Sequence, residues 1–524
     1  MSNNFSRSQS VRKSVTITSN GVVAAQHAKA AKIGAQVLEN GGDAVDAAVA
    51  VSFALGVLEP WMSGPAGGGA MMVWRADEQK AHAIWYGMKS PKSLDVAAFP
   101  LSDSGRSSDL FPWKSVIDDR NVEGPLSIAV PGVVAGIELA HNTYGKLPWR
   151  DLLQPAVAEA RTGLQVDWYA ALIIASATRA LSKDKDAADL FLEDGSWPTI
   201  AGWTALAEKR LDQSKLANTL SQLAEAGPRD FYEGEIARAM VDDVQAKGGF
   251  LSLEDLAAYK ACAQDPLEIS YRDATLFAVP DLTAGPTLAH TLRQLEDNYS
   301  PGSRPDGEAF SNYANALQIA YADRLKTMGD QDAPHSPSCT THFSIVDRHG
   351  NMVSMTQTLL SLFGSRVVSP STGFLMNNGI MWFDPEPGHP NSIAPDKTCL
   401  MNVCPILGEK NASMFAIGAS GGRKIMPAVA QLASFITDYD MSLEEAFHHP
   451  RIDASGGDIV VADEMLSADI LQTLSANHEV VTTKRTVFPY AFACPAGVMR
   501  VDGKNMGCTE IMSPWGDAVT EDNT

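Results

Sequence analysis

Thr340-Thr341-His342-Phe343-Ser344-Ile345-Val346-Asp347 alternates polar and apolar side chains as a strand does, deep in the chain behind a polar, proline-containing stretch. A second alternating run, Met352 to Thr358, follows across Arg348-His349-Gly350-Asn351, which predicts a β-hairpin. With His349 and Gly350 as the central turn residues, Thr358 stands opposite Thr341 and beside Thr340. A slip of one residue would change the face each side chain uses. If the chain is cut before Thr340, that residue gains an α-amino group whose ordinary pKa of about 7.7–8.0 lets it take the hydroxyl proton near neutral pH. The nucleophile then carries its own base, and a neighbouring hydroxyl such as that of Thr358 supplies an orienting hydrogen bond. Without such a cut, the same threonines are ordinary sheet residues.

Upstream, Gly329 to Cys339 is short and polar and suits a processing loop. Before it, Phe310, Tyr313, Leu317 and Tyr321 recur at helical spacing and predict a buried amphipathic helix. Downstream, Met414 to Gly418 reads as a strand, Ser420-Gly421-Gly422 as a tight loop and Ile425 to Tyr439 as a helix. Backbone N–H groups at such a turn can form an oxyanion hole, or the glycines can serve the turn alone. The same residues offer a competitor, because Gly418-Ala419-Ser420-Gly421-Gly422 fits the G-x-S-x-G elbow of an α/β-hydrolase. Ser420 would then be the nucleophile, with Asp463 or Glu464 and then His478 in triad order. Little chain follows Ser420 for the usual late βα units.

Toward the beginning, Ala24 to Gly42 has a helical pattern that stops at Gly41-Gly42, and Asp43 can cap a second helix running toward Leu58. The loop Ser63-Gly64-Pro65-Ala66-Gly67-Gly68-Gly69 lacks the GK[ST] ending of a phosphate loop and leads into a strand, Ala70 to Trp74. Close backbone packing accounts for it better. Pro148 to Leu256 is mostly helical, broken at Gly248-Gly249, with a cap at Ser252 and Asp255 three residues on.

The 524 residues allow two or three domains or one large layered domain. Hydrophobic residues at 45% and charged residues at 20% are ordinary for a globular chain. A formal charge of −21, without a compensating basic stripe, disfavours nucleic acid and anionic membranes as partners. Met1 to Lys13 lacks the apolar centre of a secretory signal, and no apolar run nears the roughly 20 residues of a membrane-spanning helix. A cytoplasmic location without a membrane partner is the expectation. Six cysteines without CxxC spacing are expected as small core residues in a reducing compartment. Adjacent His448-His449 make no chelating pair, and no G-x-G-x-x-G joins a strand to a helix, so neither metal nor cofactor is expected.

Motif by motif, the chain resembles the gamma-glutamyltranspeptidase family of N-terminal nucleophile hydrolases over almost its whole length. The resemblance is carried by Gly42-Asp43-Ala44-Val45-Asp46-Ala47-Ala48, Ser63 to Gly69, Val130-Pro131-Gly132 with Gly136, and Phe231-Tyr232-Glu233-Gly234. It continues through Ala320-Tyr321-Ala322-Asp323-Arg324, Thr340 to Asp347, Asn377-Asn378 and Ser420-Gly421-Gly422. It implies an α+β fold, a four-layer αββα sandwich, in a precursor that cleaves itself between Cys339 and Thr340. Residues 1–339 and 340–524 would then be a large and a small piece of one unit, and a homodimer of such processed heterodimers is compatible with it. The resemblance also implies Thr340 as nucleophile, Thr358 as assisting hydroxyl, Gly421 and Gly422 as oxyanion donors, and a small-molecule amide or peptide as substrate.

The groups that select glutamate in that family are replaced here. Its Arg-Glu pair for the substrate α-carboxylate falls on Met88-Lys89, its Asn after the assisting Thr on Leu360, and its Gln after the Asn pair on Gly379, next to Asn378. Its acidic residue for the α-amino group falls near Trp382, with Asp384 two residues on, and its paired serines fall on Met401-Asn402. Sites built for polar groups reject analogues lacking them by as much as about 10⁴–10⁵, so the converse replacement is expected to change the acyl group. Met88, Leu360, Trp382 and Met401 are expected to line an apolar acyl pocket, with Lys89 and Arg366 as candidates for gripping an acidic acyl group. The expected activity is amide hydrolysis or acyl transfer by Thr340 with a non-glutamyl acyl group. The alternatives are a true gamma-glutamyltranspeptidase or glutathione hydrolase with rebuilt recognition, a Ser420 α/β-hydrolase, and an unprocessed relative that binds without catalysis.

Overall fold

Gly41-Gly42 ends one helix and Asp43 starts the next. The Asp43 carboxylate accepts from the N–H groups of Val45 and Asp46, while Asp46 accepts from the Asp43 N–H, a reciprocal cap at the head of Ala44–Leu58. All 15 residues of that helix are buried, as its Ala/Val composition anticipates. The preceding helix is shorter than its sequence pattern. Ala28–Glu39 is helical, but Val22–Ala25 is a strand that pairs with Phe343 to Val346 on one side and Asp517–Thr520 on the other. Pairing on both edges overrides the helical preference of alanine there.

The computed structural model describes residues 11–106, 113–200, 208–328 and 338–523. Positions 329–337 of the expected processing loop lie outside the described residues. Two seven-stranded sheets form the centre. One runs in the order Asp517–Thr520, Val22–Ala25, Ser338–Val346, Met352–Ser361, Gly68–Arg75, Lys80–Tyr86, Cys262–Gln264. The other runs Thr16–Thr18, Lys504–Thr509, Cys494–Val501, Ser413–Ser420, Ile406–Lys410, Ala274–Ala278, Leu267–Tyr271. Neighbouring strands are antiparallel throughout both sheets.

Three apolar clusters fill the spaces between four layers. Met71 and Val73 face the helices Ala28–Glu39 and Ala44–Leu58, whereas Ala70, Met72 and Trp74 of the same strand face the second sheet. On the far side, Phe415 and Ile417 pack against Gly285–Asn298, Gly307–Met328 and Ile425–Tyr439. The architecture is therefore the α+β, four-layer αββα sandwich. Phe310, Tyr313, Leu317 and Tyr321 are all buried on Gly307–Met328, as their spacing predicts. Ser252 and Asp255 form the expected reciprocal cap of Leu253–Ala258.

The antiparallel sheets overturn the α/β-hydrolase alternative, whose elbow needs a parallel sheet. Ser413–Ser420 ends between two antiparallel neighbours, Asp463 pairs with Arg485 at 3.2 Å, and His478 caps the end of Ala468–Asn477. Ser420 Oγ instead accepts from Gln26 Nε2 at 2.5 Å. Cys399, Cys404, Cys494 and Cys508 are buried free thiols, and Cys262 is exposed. Among the described residues, no helix is long and apolar enough to cross a membrane.

Candidate active site

The hairpin turn holds three residues rather than two. Val346 pairs with Met352 and Thr341 with Gln357, and the Asp347 N–H donates to the Asn351 carbonyl at 3.0 Å, leaving Arg348, His349 and Gly350 in the loop. Gly350 supplies the left-handed position at φ +89°, and the Asp347 carboxylate accepts from the N–H groups of His349 and Asn351 at 2.8 and 3.0 Å. The expected facing pair of Thr358 and Thr341 is thus corrected by one residue, and the observed register sets Thr358 level with Thr340. There the ladder breaks: Cys339 pairs with Leu360, so Thr358 and Leu359 together oppose Thr340. A bulge of this kind re-aims side chains at the end of a ladder. Thr340 Oγ1 lies 3.3 Å from Thr358 Oγ1, and both residues are buried.

The glycine loop holds the partner strand from behind. A Cβ on Gly67 would lie 2.3 Å from the Thr358 carbonyl oxygen and one on Gly69 2.2 Å from that of Thr356, so only hydrogen fits. Past Thr358 the backbone is strained, with Leu360, Phe363 and Arg366 at φ +86°, +62° and +61°. Thr358 Oγ1 accepts from the Leu360 N–H at 2.8 Å, bracing the first of these. Asn378 braces the next turn: its Oδ1 accepts from the Ser361 N–H at 3.0 Å, and its Nδ2 donates to the Val122 carbonyl at 2.9 Å and Ser361 Oγ at 2.8 Å.

On the facing sheet, Ser413–Ser420 runs into Gly421 and Gly422 at φ +133° and +57°, then into Ile425–Tyr439. A Cβ on Gly421 would meet Ala493 Cα at 2.9 Å, so this turn requires glycine in shape as well as dihedral. The turn is tied to the strand that holds Thr340: Gln26 Nε2 donates to Ser420 Oγ, and Thr341 Oγ1 donates to Gln26 Oε1 at 3.3 Å. The site therefore unites a threonine at a strand bulge, a second hydroxyl, and a glycine turn at the head of a helix.

The profile of the family described as Gamma-glutamyltranspeptidase matches residues 30–339 and 332–491. The chain belongs to the gamma-glutamyltranspeptidase family. The Acylase ACY 1 proenzyme of Pseudomonas sp. (strain V22) is 33% identical over 508 residues, covering 89% of this chain and 88% of that protein. The Glutathione hydrolase proenzyme of Escherichia coli (strain K12) is 30% identical over 520 residues, covering 89% and 87%. A crystal structure of cephalosporin acylase from Bacillus halodurans superposes with a TM-score of 0.85 at 24% identity, over 99% of both chains. That likeness agrees with the layered fold.

In this gamma-glutamyltranspeptidase-family chain, Met88, Leu360, Trp382 and Met401 are buried together in one apolar cluster with Ala129, Ile380 and Met381. A Cβ on Gly379 would lie 2.9 Å from Met88 Sδ, so Gly379 admits the methionine into that cluster. Lys89 and Arg366 bond to separate partners. Lys89 Nζ bonds Asp396 at 2.8 Å at the surface, and Arg366 donates to the Val122 carbonyl at 3.0 Å. Asn402 Oδ1 accepts from Arg324 at 3.2 Å, and buried Asp384 bonds His389 Nδ1 at 2.6 Å.

Two buried ionisable groups lie on or against the strand Ser338–Val346. His342 bonds Thr356 Oγ1 at 2.8 Å and Ser344 Oγ at 3.0 Å between the sheets, and burial drives its pKa down to about 3. Glu59 lies 3.4 Å from Thr341 Oγ1, and burial pushes its carboxyl up to about 8. Sequence reasoning passed over Glu59 and Gln26. The signal for Glu59 was a carboxylate directly ending a long Ala/Val-rich helix, Ala44–Leu58, all of whose residues are buried.

Proposed function

We propose that the chain is a self-processing N-terminal threonine amidohydrolase or acyltransferase whose acyl group is not γ-glutamyl. Maturation cuts between Cys339 and Thr340, giving pieces 1–339 and 340–524 that remain one folded unit. Thr340 Oγ attacks the Cys339 carbonyl, the peptide nitrogen leaves as the Thr340 amine, and water hydrolyses the resulting ester. The freed amine then accepts the Thr340 hydroxyl proton as Oγ attacks a substrate amide. Thr358 orients the hydroxyl, the Gly421 and Gly422 N–H groups stabilise the oxyanion, and water or an amine resolves the acyl-enzyme.

The observation that carries this reading is the 3.3 Å approach of the Thr340 and Thr358 hydroxyls at a ladder break. A residue outside regular pairing leaves its own peptide bond open to its side chain. The acyl preference is supported by the clustering of Met88, Leu360, Trp382 and Met401 where the family's glutamate-binding positions fall. Relatives named as acylases and as glutathione hydrolases both occur, so the choice rests on these apolar side chains. A denaturing gel with N-terminal sequencing tests the mechanism. A small fragment starting at Thr340, absent in Thr340→Ala, is expected; an intact mature chain would sink it. Comparing γ-glutamyl, aliphatic and dicarboxylic anilides tests the acyl group, and brisk preference for the γ-glutamyl compound would refute that part.

A further inference from the structure

We propose that Glu59 is a positioning residue held as the neutral acid, fixing Thr340 and the Gly421-Gly422 turn through one hydrogen-bond chain. The inference rests on the reading of Thr340 as nucleophile. Glu59 closes the buried helix Ala44–Leu58 and is itself buried. Its Oε2 lies 3.4 Å from Thr341 Oγ1, on the residue next to the nucleophile. Thr341 Oγ1 lies 3.3 Å from Gln26 Oε1, and Gln26 Nε2 donates to Ser420 Oγ at 2.5 Å and to the Cys494 carbonyl at 2.9 Å. Ser420 Oγ is 3.5 Å from that same carbonyl. The chain thus crosses from a helix end, through the nucleophile strand, to the residue before Gly421, and every member is buried.

Counting hydrogens decides the charge. The Thr341 hydroxyl has one hydrogen, and both Gln26 Oε1 and an ionised Glu59 would require it. A protonated Glu59 donates to Thr341 Oγ1, which passes its own hydrogen to Gln26 Oε1. An ionised Glu59 takes that hydrogen and withdraws it from Gln26, in an interior where an unmade bond is costly. The upward push of burial on this carboxyl agrees with the count. Among the described residues, the titratable groups that interact with Glu59 are Tyr490 and Cys494, both kept protonated by their own burial. Cleavage would add the amine of Thr340, on the residue next to Thr341. A carboxylate bonded to the adjoining Thr341 would favour the ammonium form of that amine, which cannot take the hydroxyl proton. A neutral Glu59 leaves the base free.

The test joins infrared difference spectra to kinetics. At neutral pH the wild type should show a protonated-carboxyl stretch that Glu59→Gln lacks and that disappears at alkaline pH. Thr341→Val, which leaves Glu59 in place but removes its acceptor, should shift the band, so the test does not depend on the Gln variant folding. Glu59→Ala should slow processing by about tenfold to a hundredfold, with Glu59→Gln rescuing it and losing the alkaline fall in kcat/KM. A carboxylate already ionised at neutral pH, or a Gln variant whose pH profile superimposes on wild type, overturns the proposal. If Thr340 is not the nucleophile, no fragment begins there although the carboxyl band persists, so the two failures are told apart.

Discussion

Thr358→Val removes one oxygen and almost no volume, yet two partners lose by it. Thr340 Oγ1 loses the hydroxyl 3.3 Å away, and the Leu360 N–H loses its acceptor at 2.8 Å. Leu360 is 3% exposed, so water cannot replace that acceptor. A buried donor left unpaired costs about 1–3 kcal/mol. The loss falls where the backbone already sits at φ +86°, a conformation that costs a leucine a further 1–3 kcal/mol or so and that the Thr358 bond helps to hold. Stability is best read by urea unfolding in the Thr340→Ala background, where on the proposed mechanism processing does not confuse the transition. A lower midpoint is expected. In the active background, misplacing the hydroxyl should slow processing and turnover by up to about 10²-fold. Thr358→Ser keeps the oxygen and should restore both. If Thr358→Val matches Thr358→Ser in unfolding midpoint and in processing rate on a gel, the assisting role is refuted.

Gly67→Ala puts a methyl 2.3 Å from the Thr358 carbonyl oxygen, a backbone atom that cannot swing away; a loss of about 1–3 kcal/mol in chemical unfolding and slower processing are expected. Leu360→Asn suits the positive φ and puts an amide into the apolar cluster. The kcat/KM ratio of γ-glutamyl to aliphatic anilide should rise at least about tenfold. His342 is neutral when folded, with a pKa driven from 6.5 to about 3, so below pH 6.5 the unfolded chain binds one proton more. Stability from this group therefore falls with acid between those values by about 1.4 kcal/mol per pH unit, and urea unfolding across that range should show it.

The local signals in the sequence survived into the structure where a side chain settles its own neighbourhood. The caps at Asp43 and Ser252 and the helix Ile425–Tyr439 are of this kind. The helical reading of Ala24 and Ala25 failed because strands hundreds of residues away pair with them. The hairpin was legible but its register was not. Asp347 and Gly350 fit a three-residue loop as well as a tighter one, and the bulge at Thr358-Leu359 leaves no mark in an alternating pattern. Gly418 to Gly422 matched an elbow motif because strand, tight turn and helix do follow one another there. What the motif cannot encode is that the flanking strands run antiparallel.

An amine can serve as base near neutral pH only if its surroundings do not hold it as the ammonium. The strand Ser338–Val346, which holds Thr340, carries His342 on its inter-sheet side and touches Glu59 through Thr341 on the other. Burial works on the two in opposite directions, lowering the imidazole to about 3 and raising the carboxyl to about 8, and the result in both cases is a neutral group near pH 7. A solvent-exposed histidine or glutamate in either place would add a charge that shifts with the assay. On the proposed mechanism, the two dry layers that pack against this strand therefore do more than stabilise it. They remove competing charges from the neighbourhood of the one group whose proton affinity must stay near neutrality.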